Sequence, residues 1–222
     1  MSLKYVGKLF LNLFYPPICP LCERFVATDG MLCDSCMISL QHLEADAILP
    51  HLSVSYFDRC ISCFAYEGGL RRAIHSFKYQ QRLEQVRFFS AAIKSRILDL
   101  TGIDIVIPVP MHRSKLRARG YNQAALLAKR VGRDLGKDVI VNALKRIQDS
   151  AAQMGLERTE RLRNVKHSFA VLKKYENVFD GKSILLVDDV VTTGATINEC
   201  ARVLKKSGAS MVHVVTVART LE

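Results

Sequence analysis

Two adjacent carboxylates, Asp188 and Asp189, directly precede a short turn that contains threonine and glycine. The apolar run at 183–187 predicts a buried strand before them, and a helix is expected after the turn. Successive backbone N–H groups over 192–196, at the positive end of the helix dipole, can bind a phosphate without any basic side chain. The carboxylates can accept hydrogen bonds from ribose hydroxyls a short distance away. The segment therefore predicts a site for a sugar phosphate such as ribose 5-phosphate.

A purely structural role for the same segment is the alternative. Asp188 and Asp189 would then cap the helix, and Thr192 and Thr193 would fill a turn. For an arbitrary pair of aspartates this alternative would be preferred. The complete string at 185–196, Leu-Leu-Val-Asp-Asp-Val-Val-Thr-Thr-Gly-Ala-Thr, favours a ligand site. It resembles the signature with which type I phosphoribosyltransferases bind 5-phosphoribosyl-1-pyrophosphate (PRPP). The resemblance implies PRPP contacts at Asp188, Asp189, Val190, Val191, Thr192, Thr193, Gly194, Ala195 and Thr196.

Four cysteines near the N-terminus form two closely spaced pairs. They are Cys19, Cys22, Cys33 and Cys36. Two such knuckles can close a tetrahedral Zn²⁺ site with four thiolates, which is favoured over free thiols. Because a closed four-cysteine site has no open position, its expected role is structural or the presentation of a surface to a partner.

Composition and charge limit the class of protein. The 222 residues are 49% hydrophobic and 24% charged, which is enough for one good-sized core and a small appended module. No apolar run is long enough for a membrane-spanning helix. Seven cysteines, with the four nearest the N-terminus in two tight pairs, suit metal binding in a reducing cytoplasm better than a secreted disulfide framework. The formal charge of +11 favours an anionic partner, either phosphorylated metabolites or nucleic acid.

The order of the predicted elements indicates an α/β fold with a parallel sheet flanked by helices. Residues 4–14 have the apolar spacing of a short docking helix, and residues 1–50 are assigned to this helix and the zinc module. Residues 51–222 form the second domain, in which strands and helices alternate. Strands are predicted at 60–66, 104–109, 138–141, 183–187 and 211–217, and helices at 70–80, 83–100, 120–135 and from about 196 to a stop at Gly208. Cys60 and Cys63 form a third pair, interpreted as core or strand positions.

Nearly the whole chain resembles the ComF (competence protein F) family of the type I phosphoribosyltransferase superfamily. The matching stretches are the four-cysteine module, residues 57–59 through 77–79 (ending Phe-Lys-Tyr), residues 107–113 (Ile-Pro-Val-Pro-Met-His-Arg), residues 119–123 (Arg-Gly-Tyr-Asn-Gln) and residues 160–165. Each stretch alone is a weak signal, but their order is specific.

The resemblance extends to further parts of a PRPP site. It implies a pyrophosphate-binding loop formed by Pro110, Met111, His112 and Arg113, with Lys115, Arg117 and Arg119 beside it. It also implies a mobile hood at 153–166 that carries Arg158, Arg161, Arg163 and Lys166, with catalytic roles for Asp188, Asp189, Arg158 and Arg161. Mg²⁺ is expected with PRPP, because charge on the leaving pyrophosphate must be neutralised. A solvated surface remains the alternative for any one basic residue, including Lys78 and His112.

Two functions remain open from the sequence. The first is transfer of a phosphoribosyl group from PRPP to an unidentified acceptor, which would make the protein a pentosyl-transferring glycosyltransferase. The second is a non-catalytic competence factor in DNA uptake and natural transformation, which binds single-stranded DNA and uses the PRPP site for sensing. Partners in the competence machinery are implied by the family name. The absence of tryptophan and of an evident basic groove studded with aromatic residues favours PRPP over DNA.

Overall fold

The computed structural model describes residues 16–27, 32–44, 46, 47, 49, 52–147, 165 and 167–221. Two sets of predictions lie outside these residues. They are the docking helix at 4–14 and the hood residues Arg158, Arg161, Arg163 and Lys166.

A five-stranded parallel sheet organises the described chain, and its spatial order is β1-β7-β6-β2-β3. The strands are β1 (Arg59–Ala65), β2 (Ile105–Pro108), β3 (Asp138–Val139), β6 (Ser183–Val191) and β7 (Met211–Arg219). A separate antiparallel pair is formed by β4 (Leu144–Arg146) and β5 (Phe169–Val171). The parallel sheet confirms the predicted α/β class.

Helices cover both faces of the sheet. The α-helices of the described residues are α1 (Asp34–Ser39), α2 (Gly68–Tyr79), α3 (Gln85–Arg96), α4 (Arg113–Arg119), α5 (Gln123–Leu135) and α6 (Ala195–Lys206). The helices that pack on the sheet are α2, α3, α5 and α6. Alternate residues of β6 enter opposite cores, because side chains of a strand alternate between its faces. Leu185 and Val187 pack with α2, α3 and α5, whereas Ile184 and Leu186 pack with α6. Burial on both faces explains why these strands are continuous apolar runs.

Cys60 and Cys63 illustrate the same alternation. They lie three positions apart in β1, so Cys60 enters the α6 core and Cys63 the opposite core. Both side chains are about 1% exposed, and burial raises the pKa of each thiol to about 12. The interpretation of this pair as core positions is confirmed.

One helix boundary was predicted wrongly. A single helix was expected over 120–135, but α4 ends before Gly120, which has a left-handed φ of 84°. A new helix then begins at Gln123, capped by the Asn122 side chain, which accepts a hydrogen bond from the Ala124 N–H. The short strands β4 and β5 were not predicted.

The free edge of β1 is covered by the segment that follows the cysteine module. Residues 41–44, 46 and 47 lie beside β1, with hydrogen bonds from Leu43 N to Cys63 O at 3.0 Å and from Ala47 N to Cys60 O at 2.6 Å. A salt bridge from Arg59 Nε to Asp46 Oδ2, at 2.7 Å, also holds this segment against β1. Covering an edge strand prevents pairing with other chains. The domain boundary near residue 50 stays a prediction, and the two parts share one apolar core.

Within the described ranges, none of the helices combines the length and the apolar character that crossing a bilayer requires.

Candidate functional site

The carboxyl ends of β2 and β6 enclose a topological switch point. After β2 the chain passes through α4 and α5 to β3 on one side, whereas after β6 it passes through α6 to β7 on the other. Ligands of open α/β sheets bind in the crevice where the connections diverge in this way. Pro108 pairs with Val187, so the segments after both residues begin at the same level of the sheet. The predicted pyrophosphate loop and the Asp188–Asp189 pair therefore share one crevice.

Asp188 and Asp189 lie within β6 and not after its end, because the strand continues to Val191. The β7 side of this continuation is paired, with Asp188 opposite Thr216 and Val191 opposite Arg219. On the other side β2 has ended at Pro108. The two carboxylates consequently occupy a part of β6 that is paired with β7 on one edge and extends beyond the end of β2 on the other.

Lys78, at the C-terminal end of α2, reaches this acidic pair. Its Nζ lies 2.9 Å from Asp189 Oδ1, and the two side chains are only 21% and 10% exposed. Burial opposes the charge on Lys78, but the carboxylates of Asp189 and Asp188 outweigh it and raise the pKa of the lysine. No local pattern distinguishes Lys78 from other basic residues, because its partner is more than one hundred positions away in the chain.

Asp188 has an unusual affinity for its proton. Burial and the neighbouring Asp189 carboxylate raise its pKa to about 7, although the Asp189 N–H, Lys78 and Arg146 act in the opposite direction. The N–H of Asp189 donates to Asp188 Oδ1 at 2.8 Å. A carboxyl group that titrates near neutrality is typical of binding and catalytic sites.

The turn after β6 leads directly into α6. Gly194 precedes the helix with φ 78°, and its carbonyl accepts the first helical hydrogen bond, from Asn198 N at 2.9 Å. Thr193 is buried, and its Oγ1 accepts a hydrogen bond from Ala195 N at 3.4 Å. The N-terminus of a twelve-residue helix thus begins beside the carboxylates, as the sequence predicted.

The linker between the cysteine module and β1, which includes Leu49 and Leu52, packs against this turn. A Cβ atom on Gly194 would lie 2.5 Å from Leu49 Cδ1 and 3.3 Å from Leu52 Cδ1. Farther along, the Asn198 side chain accepts from Tyr56 N and donates to Val54 O, both at 2.8 Å. The linker therefore supports the turn and the first part of α6.

Gly194→Ala should weaken both the fold and ligand binding at this turn. A left-handed conformation costs a residue with a Cβ about 1–2 kcal/mol, and the added methyl must displace Leu49. We expect a loss of about 1–3 kcal/mol in the free energy of unfolding, measured by urea denaturation. Gly181→Ala is the matched control, because Gly181 has φ 67° but open space around its Cα. Equal losses in the two variants would show that contact with Leu49 contributes nothing.

The predicted pyrophosphate loop bends from β2 into α4. His112 caps this helix, and its Nδ1 lies 2.9 Å from Ser114 Oγ and 3.3 Å from Ser114 N. The side chain of Asn122 donates to Val109 O at 3.0 Å and so holds the start of the loop. Helix α4 has no buried residue and carries the basic side chains that were predicted beside the loop, Arg113, Lys115, Arg117 and Arg119.

Two motifs that are distant in the sequence, residues 77–79 and residues 119–123, are in contact. Tyr121 donates its hydroxyl hydrogen bond to Phe77 O, and Gln123 donates to Lys78 O at 3.5 Å. Arg119 in turn donates to Gln123 Oε1 at 2.7 Å. The junction of α4 and α5 thus fixes the end of α2 from which Lys78 reaches Asp189.

The four N-terminal cysteines converge as predicted. The Sγ atoms of Cys19, Cys22, Cys33 and Cys36 all lie within 4.8 Å of one another. Burial would raise the pKa of Cys22, but hydrogen bonds from Arg24 and from Cys33 and Cys36 lower it to about 6. Four thiol sulfurs at this spacing match the donor set of a structural zinc site, and the ion would be held entirely by the protein.

Two domain families match parts of the chain. The sequence model of the phosphoribosyl transferase domain matches residues 116–222, and that of the double zinc ribbon domain matches residues 10–48. The chain is 31% identical over 226 aligned positions to the "DNA utilization protein YhgH" of Escherichia coli O157:H7, covering 99% of this chain and 98% of that protein.

Two proteins named for competence are also similar. "Competence protein F" of Haemophilus influenzae is 32% identical over 169 residues, which cover 73% of either chain. "Competence protein ComFC" of Bacillus subtilis is 26% identical over 206 residues, covering 91% of this chain and 78% of that protein.

Proposed function

The chain belongs to the competence protein F (ComF) family of the type I phosphoribosyltransferase superfamily, and from this membership we propose that it binds Mg²⁺-PRPP. One observation carries the proposal. The carboxylates of Asp188 and Asp189, the N-terminus of α6 and the loop after β2 converge at the switch point of the sheet. A sugar that carries a phosphate at one end and a pyrophosphate at the other requires these three kinds of group together.

Each part of the crevice has a distinct task in this proposal. Backbone N–H groups over 192–196 bind the 5-phosphate, and the carboxylates of Asp188 and Asp189 accept hydrogen bonds from the ribose hydroxyls. The loop at 110–113 and the basic side chains of α4 bind the pyrophosphate. Arg158 and Arg161 are proposed to close over it.

The proposed reaction is a substitution at C1 of the ribose. A lone pair of the acceptor forms the new bond to C1, the bond from C1 to the pyrophosphate oxygen breaks, and pyrophosphate leaves with that electron pair. Mg²⁺ enters bound to PRPP and neutralises charge on the leaving pyrophosphate. The protein contributes positioning and charge stabilisation, which place C1 between acceptor and leaving group.

Isothermal titration calorimetry of Mg²⁺-PRPP into the zinc-loaded protein tests the binding step. Saturable binding with one site per chain is expected, whereas folded protein that gives no heat and no thermal stabilisation would rule the proposal out. A screen of bases and amines for pyrophosphate release then tests transfer. Binding without release from any acceptor would favour the sensing role.

The affinity for Mg²⁺-PRPP should fall as the pH is lowered below about 7. Burial and Asp189 raise the pKa of Asp188 to about 7, and only the ionised carboxylate accepts hydrogen bonds from both ribose hydroxyls. Protonation therefore competes with the ligand below this pKa and not above it. We expect about a fivefold loss of affinity between pH 7 and pH 6, measured by calorimetry. A constant affinity from pH 6 to pH 8 would contradict this assignment.

The proposed zinc site requires a reducing compartment. All seven cysteines are free, and the cluster of four requires thiols that are not oxidised to disulfides. We therefore propose a cytoplasmic protein in which zinc has a structural role.

Binding of single-stranded DNA is a second candidate function, favoured by a surface on α2. Tyr79 is 63% exposed, with Arg119 Cζ 4.8 Å from its ring centroid and the His75 ring 4.7 Å away. Arg71 and Arg72 line an adjoining cleft of about 510 Å³ between α2 and the cysteine module. An exposed ring among cationic side chains is a suitable surface for base stacking and backbone contacts.

Fluorescence anisotropy with a labelled oligothymidylate tests the DNA function. Tyr79→Ala should weaken binding roughly tenfold, because a stacked base contributes about 1–3 kcal/mol. Tyr175→Ala is the matched control, since Lys174 Nζ lies 4.7 Å from the centroid of that ring. Affinity should also fall steeply with salt. Binding no tighter than that of an unrelated protein of similar charge would exclude the role.

A further inference from the structure

The buried ion pair between Lys78 and Asp189 has no task in the function proposed so far. The Nζ atom lies 2.9 Å from the carboxylate oxygen, and both side chains are largely shielded from solvent. A lysine is rarely buried unless its ammonium is paired, and burial of both partners is costly. The position of this pair inside the candidate ligand crevice therefore calls for a specific role.

The backbone that carries Lys78 is fixed by two other segments. Tyr121 and Gln123 donate hydrogen bonds to the carbonyl oxygens of Phe77 and Lys78, as described above. Ring contacts add to this restraint, because Phe77 lies 6.2 Å from Tyr121 and 5.6 Å from Phe89 between centroids. The backbone from which the ammonium reaches the acidic pair is thus held by contacts with two other segments of the fold.

The charge balance of the crevice explains why a cation is needed there. PRPP carries several negative charges, and two adjacent carboxylates would repel it if neither were neutralised. Asp189 contacts Lys78 directly, and Asp188 and Tyr66 also act on the charge of the lysine. One ammonium cancels one carboxylate charge while leaving oxygen atoms available as hydrogen-bond acceptors.

We propose, on the premise that the crevice binds PRPP, that Lys78 is a positioning residue whose ammonium neutralises and orients Asp189. The neutralised pair can then hold the ribose hydroxyls of a polyanionic ligand. Lys78 acts through Asp189 and does not contact the phosphates. The role differs from that of Mg²⁺, which enters with the ligand, whereas the lysine is part of the fold.

A double-mutant cycle measured by calorimetry with Mg²⁺-PRPP tests this role. Lys78→Met should weaken binding roughly tenfold or more, because a charged hydrogen bond is lost and a carboxylate charge is exposed to the ligand. In the Asp189→Asn background the same substitution should change the affinity less than about twofold. Lys129→Met, on the exposed face of α5, is the control and should bind as the wild type does. The Lys78→Met variant should also require more Mg²⁺ for half-maximal binding.

The outcomes separate this inference from the proposed function. Failure of the wild-type protein to bind Mg²⁺-PRPP would remove the function itself. Wild-type binding together with an unchanged Lys78→Met affinity would overturn only the role of Lys78. Equal losses in both backgrounds would show a direct contact between Lys78 and the ligand and would also overturn it.

A ligand-free cycle covers the case in which Asp189→Asn binds too weakly to measure. Thermal midpoints of the four proteins should be strongly non-additive, because the carboxylate left by Lys78→Met is removed in the double variant. Additive midpoints would show that the two side chains are not coupled and would reject the proposal.

Discussion

The combined substitutions Asp188→Asn and Asp189→Asn should abolish measurable binding of Mg²⁺-PRPP. Both carboxylates are proposed to accept hydrogen bonds from ribose hydroxyls, and a hydrogen bond to a charged group contributes about 1.5–3 kcal/mol. Loss of two such bonds corresponds to a decrease in affinity of roughly a hundredfold or more. Calorimetry under conditions that saturate the wild-type protein should give no binding heat. Full affinity in the variant would place the ligand elsewhere.

The matched control for this result is Asp138→Asn combined with Asp180→Asn. Both residues are exposed and lie away from the crevice, and the change in net charge is the same. This control should bind Mg²⁺-PRPP with wild-type affinity. A loss in the control as large as in the site variant would mean that overall charge decides the affinity.

The single substitution Asp188→Asn, which leaves the ion pair of Lys78 and Asp189 in place, should keep the protein folded for an electrostatic reason. Burial and Asp189 raise the pKa of Asp188 above its unfolded value, so the folded protein holds that proton more tightly than the unfolded chain does. Ionisation therefore lowers the free energy of unfolding as the pH rises from about 4 to about 7. Asn cannot ionise, so Asp188→Asn should raise the melting temperature at pH 8 by about 2–4 °C, which corresponds to about 1 kcal/mol. A melting temperature below that of the wild type would contradict this assignment.

Predictions from the sequence were most accurate for elements that follow from a local pattern within one segment. The apolar run at 183–187 and the helix that stops before Gly208 follow from local patterns, and both are present in the structure. The four cysteines also indicate a zinc site from local sequence, because the spacing within each pair is typical of metal ligands. Cys60 and Cys63 were interpreted as core or strand positions because they lie in a predicted strand, and both are buried there.

Features that depend on distant partners were not predictable in the same way. Strand β6 continues to Val191 only because β7 continues beside it to Arg219. The ion pair of Lys78 with Asp189 requires a helix end and a strand end to meet in space. No periodicity in either segment indicates this contact. The helix at 113–119 was not predicted, and the next helix was predicted to begin at Gly120 although it begins at Gln123. Gly120 and the cap Asn122, which separate the two helices, were the local signals that this prediction missed.

Loss of zinc ligands should have the largest effect on stability. In Cys33→Ser combined with Cys36→Ser, two of the four sulfurs that lie within 4.8 Å of one another are replaced, and bound zinc should be lost. Zinc binding contributes about 10–16 kcal/mol to the folding of small zinc modules at pH 7. The loss should spread beyond the module, because Cys19, Leu21 and Leu40 share one apolar core with Ile61. We expect the melting temperature of the whole chain to fall by roughly 10 °C or more.

Metal analysis distinguishes loss of zinc from simple loss of thiols. The wild-type protein should contain one zinc per chain by plasma mass spectrometry, and the Cys33/Cys36 variant should contain none. Cys60→Ala combined with Cys63→Ala is the control, because this pair lies on opposite faces of β1 and should keep its zinc despite a weakened core. Retention of zinc by the Cys33/Cys36 variant would disprove the four-thiolate site. Since Leu49 and Leu52 support Gly194, the zinc-free variant should also bind Mg²⁺-PRPP more weakly than the control does.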